Sequence, residues 1–434
     1  MKKLLIKGGR IVDPAQGIDD TSSLRVSDGI ISWLSKKGDT SASADSDIID
    51  ATGLIVCPGF IDLHCHLRQP GFEEKETIAT GTRAAARGGF TTVCCMPNTI
   101  PPLDSQATVD YVKSTAIEEG VIRVLPIGCI SKGREGEELA EMAELASAGV
   151  IGFSDDGNCV ASSRLMRRAL EYSRGFSRPI IDHCEDTTLT EGGQINEGII
   201  ATRLGLQGIP NATEESMVAR DIALAELTGA WLHVAHVSTA GSVELVRRAK
   251  AKGIKVTAEV TPHHLTLTEE KVLGYDTNAK VNPPLRSQAD VQALIQGLND
   301  NTIDVIATDH APHTEEDKLC EFGFAPFGIS GLETALGSLM ALVHQRQLSL
   351  NTLIAKLTIE PARIIGNEHG RLGTLAVGAV ADITIFDPER EWVVDTRHFA
   401  SKGKNTPLAG SRLKGKVIAT VYGGNLVYQD NGLK

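Results

Sequence analysis

The chain has 434 residues, 41% hydrophobic and 23% charged, which excludes a disordered polymer and suits a barrel-sized core with a smaller second domain. Lys and Arg number 43 against 55 Asp and Glu, a formal net charge of −12; this excludes a general nucleic-acid binder, whose affinity rests on clustered basic side chains. No run approaches the roughly 20 apolar residues that span a bilayer, and Met1-Lys2-Lys3-Leu4-Leu5-Ile6-Lys7-Gly8 lacks the apolar stretch of a signal peptide. A cytoplasmic protein is expected, its eight cysteines reduced and mostly in apolar runs, without CxxC pairs.

The first residues read as short strands. Residues 4–7 and 10–14 form a strand, a turn at Gly8-Gly9 and a second strand. Asp28-Gly29 between apolar runs signals a hairpin. Residues 41–46 read as a polar loop, and 48–51 and 54–56 as two more strands. From Phe60 onward apolar runs alternate with helical periodicity. Strands are expected at 60–67, 91–96, 123–130, 150–154, 179–183, 231–237, 255–260 and 304–308, with helices at 76–87, 105–119, 137–148, 163–173, 214–227, 241–252 and 289–298. Within 242–252, Val243, Leu245, Val246 and Ala249 share a face, Arg247, Arg248 and Lys250 lie elsewhere, and Gly253 ends the helix.

Eight strand–helix repeats imply an α/β protein with a parallel sheet, and eight closes a (β/α)8 TIM barrel; a doubly wound open sheet is the alternative. Helices at 332–345, 350–356 and 361–365 follow, then strands at 378–387 and 417–424. Both ends are β-rich, so a small β-sandwich built from both termini is expected, with the barrel inserted. The expected division is 1–57, 58–362 and 363–434.

Polar residues gather at the ends of the strands. On a strand, His64 and His66 share a face, and Arg68-Gln69-Pro70-Gly71 follows as a break. Later strands end in Pro97-Asn98, Asp155-Asp156-Gly157, Asp182-His183-Cys184-Glu185, His236-Val237-Ser238, Thr261-Pro262-His263-His264 and Asp309-His310-Ala311-Pro312-His313. The carboxyl ends of barrel strands form the active-site face. Acids and imidazoles are costly to bury unpaired, so their convergence on one rim predicts a shared metal centre. A simple hydrogen-bonding role is the better reading for His233, His344, His369 and His398, and the preferred one for His263 and His264. Asp155 or Asp156 could form a turn before Gly157, and Asp309 could cap a helix.

The stretch DLHCHLRQPG at 62–71, with Met96-Pro97-Asn98-Thr99, Asp155-Asp156-Gly157, Lys280-Val281-Asn282-Pro283-Pro284-Leu285-Arg286 and Ala307-Thr308-Asp309-His310-Ala311-Pro312-His313, resembles the amidohydrolase superfamily. Within it the chain is similar to the class I bacterial dihydroorotases, over essentially its whole length. The HxH pair marks only the superfamily; Arg68 after HxHL, Asn98 and the DHAPH segment mark the dihydroorotase-like members.

The resemblance implies two Zn2+ per subunit, one on His64, His66 and Asp309 and the other on His183 and His236. Many superfamily members bridge the metals with a carboxylated lysine, but no lysine lies between Lys132 and Lys250. The implied bridge is Asp156, with Asp155 the weaker candidate. Asp309 would move the proton between water and the ring nitrogen. Arg68 would pair with the substrate carboxylate, shared by Asn98 and His313 and next to His66. Asn282 and the backbone at Phe327-Gly328 would read the ring edges, under a mobile lid at 317–330. The implied reaction is the reversible cyclisation of N-carbamoyl-L-aspartate to (S)-dihydroorotate and water in pyrimidine (UMP) biosynthesis. Partners would be a small-molecule substrate, with no nucleic acid and no membrane; a homodimer and an association with aspartate transcarbamoylase stay open. The competing readings are a hydantoinase, dihydropyrimidinase or allantoinase, and a non-catalytic dihydroorotase-like scaffold subunit.

Overall fold

Residues from the two ends of the chain meet in one sheet in the computed structural model, which describes residues 3–35 and 47–430. The polar loop expected at 41–46 lies outside the described residues. The strand order is Asn425–Gln429, Arg412–Tyr422, Ile383–Val393, Ile55–Pro58, Lys3–Asp13, Ile18–Ser27 and Ile30–Leu34, and Asp47–Asp50 also pairs with Lys3–Asp13. The period of two in these strands gathers Leu4, Ile6, Leu24, Val26, Ile383, Ile385, Ala419 and Val421 into one apolar cluster.

In the terminal sheet two expectations need correction. Residues 4–7 and 10–14 are one continuous strand, Lys3–Asp13, not two strands about a turn. Its register against Ile18–Ser27 shifts between Ile6 and Gly9, and Gly8 is left-handed at φ +71. The glycines therefore make a bulge, which bends a strand without reversing it. Asp28 and Gly29, at φ +52 and +79, do make the expected two-residue hairpin turn. At the other end, the strand expected at 378–387 starts only at Ile383.

The middle of the chain forms the ring. Phe60–Cys65, Phe90–Cys95 and Arg123–Pro126 are parallel neighbours; so are Ile180–Asp182, Leu232–Val234, Val256–Val260 and Val305–Ile306. Isolated parallel bridges link the two sheets: Phe153 pairs with Gly128 and Ile180 on one side, and His310 with Cys65 on the other. The fourth segment, expected as a strand over 150–154, thus contributes single bridges only. It draws close to its neighbour at Gly152, where a Cβ would lie 2.9 Å from Ile181. The helix expected at 137–148 is shortened to Met142–Ala148, because Ser131 pairs with Leu139 and holds the preceding residues in a loop.

Alternation along the ring strands separates two cores. Ile61, Leu63, Cys94, Met96, Leu125, Ile127, Ile181 and Val305 meet one another across the ring, which only inward-facing side chains can do. Phe60, Val93, Val124, Ile180, Leu232 and Val256 pack outward with helix residues such as Ala84, Val109, Leu165, Val218, Val246 and Leu294. This is the filled interior and helical jacket of a (β/α)8 barrel. All eight cysteines are free thiols, and only Cys320 is exposed; burial pushes the Cys95 thiol up to about 12. No helix of the described residues is long and apolar enough to cross a membrane.

Candidate metal centre and active site

The strand Phe60–Cys65 carries the fully buried His64, and His66 just beyond it lines a cavity of about 220 Å³. Asp156, His183, His236 and Asp309 reach the same cavity from four other segments of the ring. Asp156 Oδ1 lies 3.4 Å from His64 Nε2, 3.5 Å from His236 Nε2 and 3.7 Å from His183 Nδ1. Its Oδ2 is 3.5 Å from His66 Nε2. Asp309 Oδ1 is 3.0 Å from His66 Nε2 and 3.5 Å from His64 Nε2. His183 Nδ1 and His236 Nε2 are 2.8 Å apart.

These separations bracket the ligand-to-ligand edge of a tetrahedral zinc site, about 3.3 Å for bonds of 2.0–2.1 Å. His64 Nε2 and Asp156 Oδ1 are buried without a hydrogen-bond partner, the state of donor atoms that await a cation. The protonation pattern agrees. Burial alone would strip the proton from His64, but Asp156, Glu259 and Asp309 outweigh it and hold its pKa well above the ordinary value. Burial opposes His183 likewise, and Glu185 with Asp156 lifts it to about 9. Burial would raise Asp156, but the imidazoles of His64, His236 and His66 hold it well below the usual carboxylate range. Ionised acids facing the protonated rings of His64 and His183 form a site where a cation binds by displacing protons.

The adjacent aspartates part company. Asp155 accepts bonds from the Ile130 and Ser131 backbone N–H groups, at 2.9 and 3.1 Å, and from the Ser131 hydroxyl. It braces the loop, and Asp156 alone faces the imidazoles. His263 and His264 stay outside the cavity: His264 sits between the Thr261 hydroxyl and the Pro283 carbonyl, and burial pushes it down to about 3.

Two acids join the cluster without having been singled out from the sequence. Glu259 Oε1 is 2.6 Å from His64 Nδ1, and its Oε2 is 3.1 Å from His233 Nε2. Glu185 Oε2 is 2.7 Å from His183 Nε2. Each fixes the far nitrogen of a ring and so turns the near one towards the centre. The signal for Glu259 was present: in Val256–Val260 the residues Val256, Ala258 and Val260 face outward, which leaves an acid on the inward face. His66 Nδ1 is held in the same way by Asn98 Oδ1 at 2.9 Å.

Arg68, Asn98, Asn282, His313, Phe327 and Gly328 line the remaining wall. Arg68 Nε donates to the Pro312 carbonyl at 3.2 Å. Asn282 Nδ2 donates to Glu185 at 2.9 Å, which leaves its carbonyl oxygen for a ligand. His313 Nε2 donates to the Phe327 carbonyl at 2.8 Å, and its Nδ1 is buried without a hydrogen-bond partner. Residues 317–330 are tied down at several points. Lys318 Nζ donates to Thr277 and Pro326 carbonyls at 3.0 and 2.7 Å, and Lys280 Nζ to Phe322 and Gly323 carbonyls at 2.8 and 3.1 Å. Arg68, His236 and Asp309 adopt left-handed backbone at φ +62, +29 and +45, a conformation uncommon for non-glycine residues.

Two other features offer less. A cavity of about 450 Å³ lies beside Glu333, Trp392 and Tyr428, but its charged groups satisfy one another: Arg87 meets Glu333 at 3.1 Å and Lys416 meets Asp430 at 2.9 Å. Asp182, Cys184 and Asp221 also cluster, but the Arg220 guanidinium already lies 2.7 Å from Asp221.

Comparison with known proteins shows the family. Residues 53–242 match the Dihydro-orotase-like family and residues 330–428 the Amidohydrolase family. The chain is 53% identical to a dihydroorotase of Caldanaerobacter subterraneus, over 99% of this chain and 98% of that one. It is 54% identical to one of Pelotomaculum thermopropionicum over the full length of both. Among solved structures, an L-hydantoinase from Arthrobacter aurescens superposes with a TM-score of 0.89 at 27% identity, covering 100% of this chain and 98% of the other. By sequence and architecture the chain belongs to the dihydroorotase family of the amidohydrolases.

Proposed function

We infer that the chain is a dihydroorotase, which closes N-carbamoyl-L-aspartate to dihydroorotate with loss of water and runs the ring opening in reverse. The observation that carries this reading is a guanidinium, Arg68, lining the same cavity as the imidazole–carboxylate cluster. A cyclic amide that bears a carboxylate needs both parts, one for the amide and one for the anion. Among the described residues no lysine lines this cavity, which speaks against the carboxylated-lysine centre usual in hydantoinase-like relatives. The product ring places the reaction in pyrimidine synthesis.

We further propose two zinc ions, one on His64, His66 and Asp309, the other on His183 and His236, with Asp156 between them. When bound, such ions lower the pKa of water to about 7 and polarise a carbonyl oxygen. The residues do the rest. Asp309 takes a proton from the attacking water and delivers it to the ring nitrogen as the amide C–N bond breaks; in cyclisation the same carboxylate works in reverse. Arg68, steadied at Nε by Pro312, offers its terminal nitrogens as a fork to the substrate carboxylate. Asn98 gives its oxygen to His66 and keeps its amide N–H groups for the same anion, beside His313. Asn282 offers its carbonyl to a ring N–H. The Phe327 and Gly328 carbonyls each accept one bond already and retain a second lone pair.

Purified protein assayed with dihydroorotate, hydantoin, dihydrouracil and allantoin tests the substrate, and preference for any of the last three overturns it. Fewer than one metal ion per chain, with no turnover after added zinc, would favour the scaffold reading. Arg68→Met should raise KM for dihydroorotate by roughly 30-fold or more, from about 2 kcal/mol for an anion left unpaired; an unchanged KM contradicts the clamp. Glu259→Gln should weaken metal affinity by about 10–100-fold through the His64 ring it orients. Chelator competition reads this, and wild-type affinity would remove Glu259 from the centre.

A further inference from the structure

The segment between the strands Ile383–Val393 and Arg412–Tyr422 leaves the terminal sheet and reaches the mouth of the barrel. There it buries Asn405, which is 3% exposed, beside Ser401 and Thr406. Asn405 Oδ1 accepts from the His313 backbone N–H at 2.9 Å and from the Ser330 hydroxyl at 2.8 Å. Its Nδ2 donates to the Ala311 and Gly328 carbonyls, both at 3.0 Å. A backbone donor on one side and backbone acceptors on the other fix the orientation of the amide without ambiguity. Ala311, His313 and Gly328 line the candidate active site, whereas Asn405 does not. The Arg68 guanidinium also leans on this strip, through the Pro312 carbonyl at 3.2 Å.

We propose that Asn405 is a positioning residue for substrate recognition: one buried amide cross-links residues 311–313 to residues 328–330 and so sets the wall on which Arg68 and His313 meet the substrate carboxylate. This rests on the substrate reading above. The carboxamide is suited to the task because its two donors and its acceptor oxygen are all used, and no neutral side chain of the same size supplies both. Two loops joined in this way move together. A shift of about 1 Å in such a wall can cost on the order of 100-fold in rate or binding. The tether is distinct from the metal cluster, so its loss should leave metal content in place.

Asn405→Asp keeps the shape but sets oxygen against the Ala311 and Gly328 carbonyls. It should raise KM for dihydroorotate by about 10–100-fold, change kcat by much less, and leave metal per chain unaltered. Ser330→Ala removes a single bond and should raise KM by about 2–10-fold; it keeps the question open to measurement if the Asn405→Asp variant folds poorly. Hydrogen exchange in peptides covering 311–313 and 327–330 reads the tether with no substrate present, and should speed up in the Asn405→Asp variant. Wild-type KM with unchanged exchange overturns the proposal. So does a parallel fall in kcat and metal content, which would mark Asn405 as a general support of the fold. Failure of the unaltered protein to turn over dihydroorotate would instead count against the proposed function, and the exchange measurement would still decide the tether.

Discussion

Asp309→Asn should lower kcat for dihydroorotate by at least about 10²–10⁴-fold, the usual worth of a positioned acid–base group, while metal content stays near that of the unaltered protein. The carboxylate lies 3.0 Å from His66 Nε2 and 3.5 Å from His64 Nε2, in the cavity that the substrate would enter. Burial would raise its pKa, but His64, His66 and His236 lower it, so it rests ionised and can receive a proton. An amide of the same shape can still offer an oxygen to a cation but cannot carry the proton. Asparagine is also the fitting replacement for the backbone, because Asp309 sits at φ +45 and Asn tolerates left-handed conformations far better than Ala. Steady-state rates with elemental analysis of the same sample decide it; a near-normal rate removes Asp309 from proton transfer.

Asp156→Ala should cost the protein at least one of its two proposed metal ions and, with it, nearly all activity. Both of its oxygens face the cluster, within 3.4–3.7 Å of ring nitrogens on His64, His66, His183 and His236. Asp309, by comparison, pairs with His64 and His66. Removal of Asp156 leaves Asp309 beside His64 and His66 only, with no carboxylate common to all four imidazoles to hold two cations near each other. Metal analysis after dialysis, and melting curves with and without added zinc, measure the effect. Retention of two ions would move the bridge to another residue. Asp155→Asn is the matched control. It perturbs the bonds to Ile130 and Ser131, so it should lower the melting temperature with little change in metal content.

The elements legible in the sequence are those whose pattern is local. Alternation and helical periodicity marked the ring strands and the helices around them, because burial of one face repeats every two or 3.6 residues. The pattern failed where a neighbour decided the matter. Gly8-Gly9 reads as a turn until Ile18–Ser27 is seen running alongside both halves of Lys3–Asp13. Residues 150–154 read as a strand, yet beside Gly128 and Ile180 they make only isolated bridges.

The candidate site divides in the same way. His64 and His66 follow from spacing alone, since two residues apart on a strand means one face. The chemistry of imidazole, carboxylate and guanidinium then indicates what such residues are for, wherever they lie. Residue pattern alone could not choose between Asp155 and Asp156, because they are neighbours in a turn where no alternation holds; the family resemblance favoured Asp156, and in the structure the backbone of Ile130 and Ser131 engages Asp155 and leaves Asp156 facing the imidazoles. Nor could the pattern supply Glu259 or Asn405, or show that Glu185, at the end of its strand, holds the His183 ring. Asn405 is 92 positions from His313 along the chain, yet 2.9 Å away in space. The amino-acid order determines which groups can hold cations and anions; the closing of the ring, and the return of the terminal sheet to its mouth, determines which of them meet, because a hydrogen bond depends on distance in space and not along the chain.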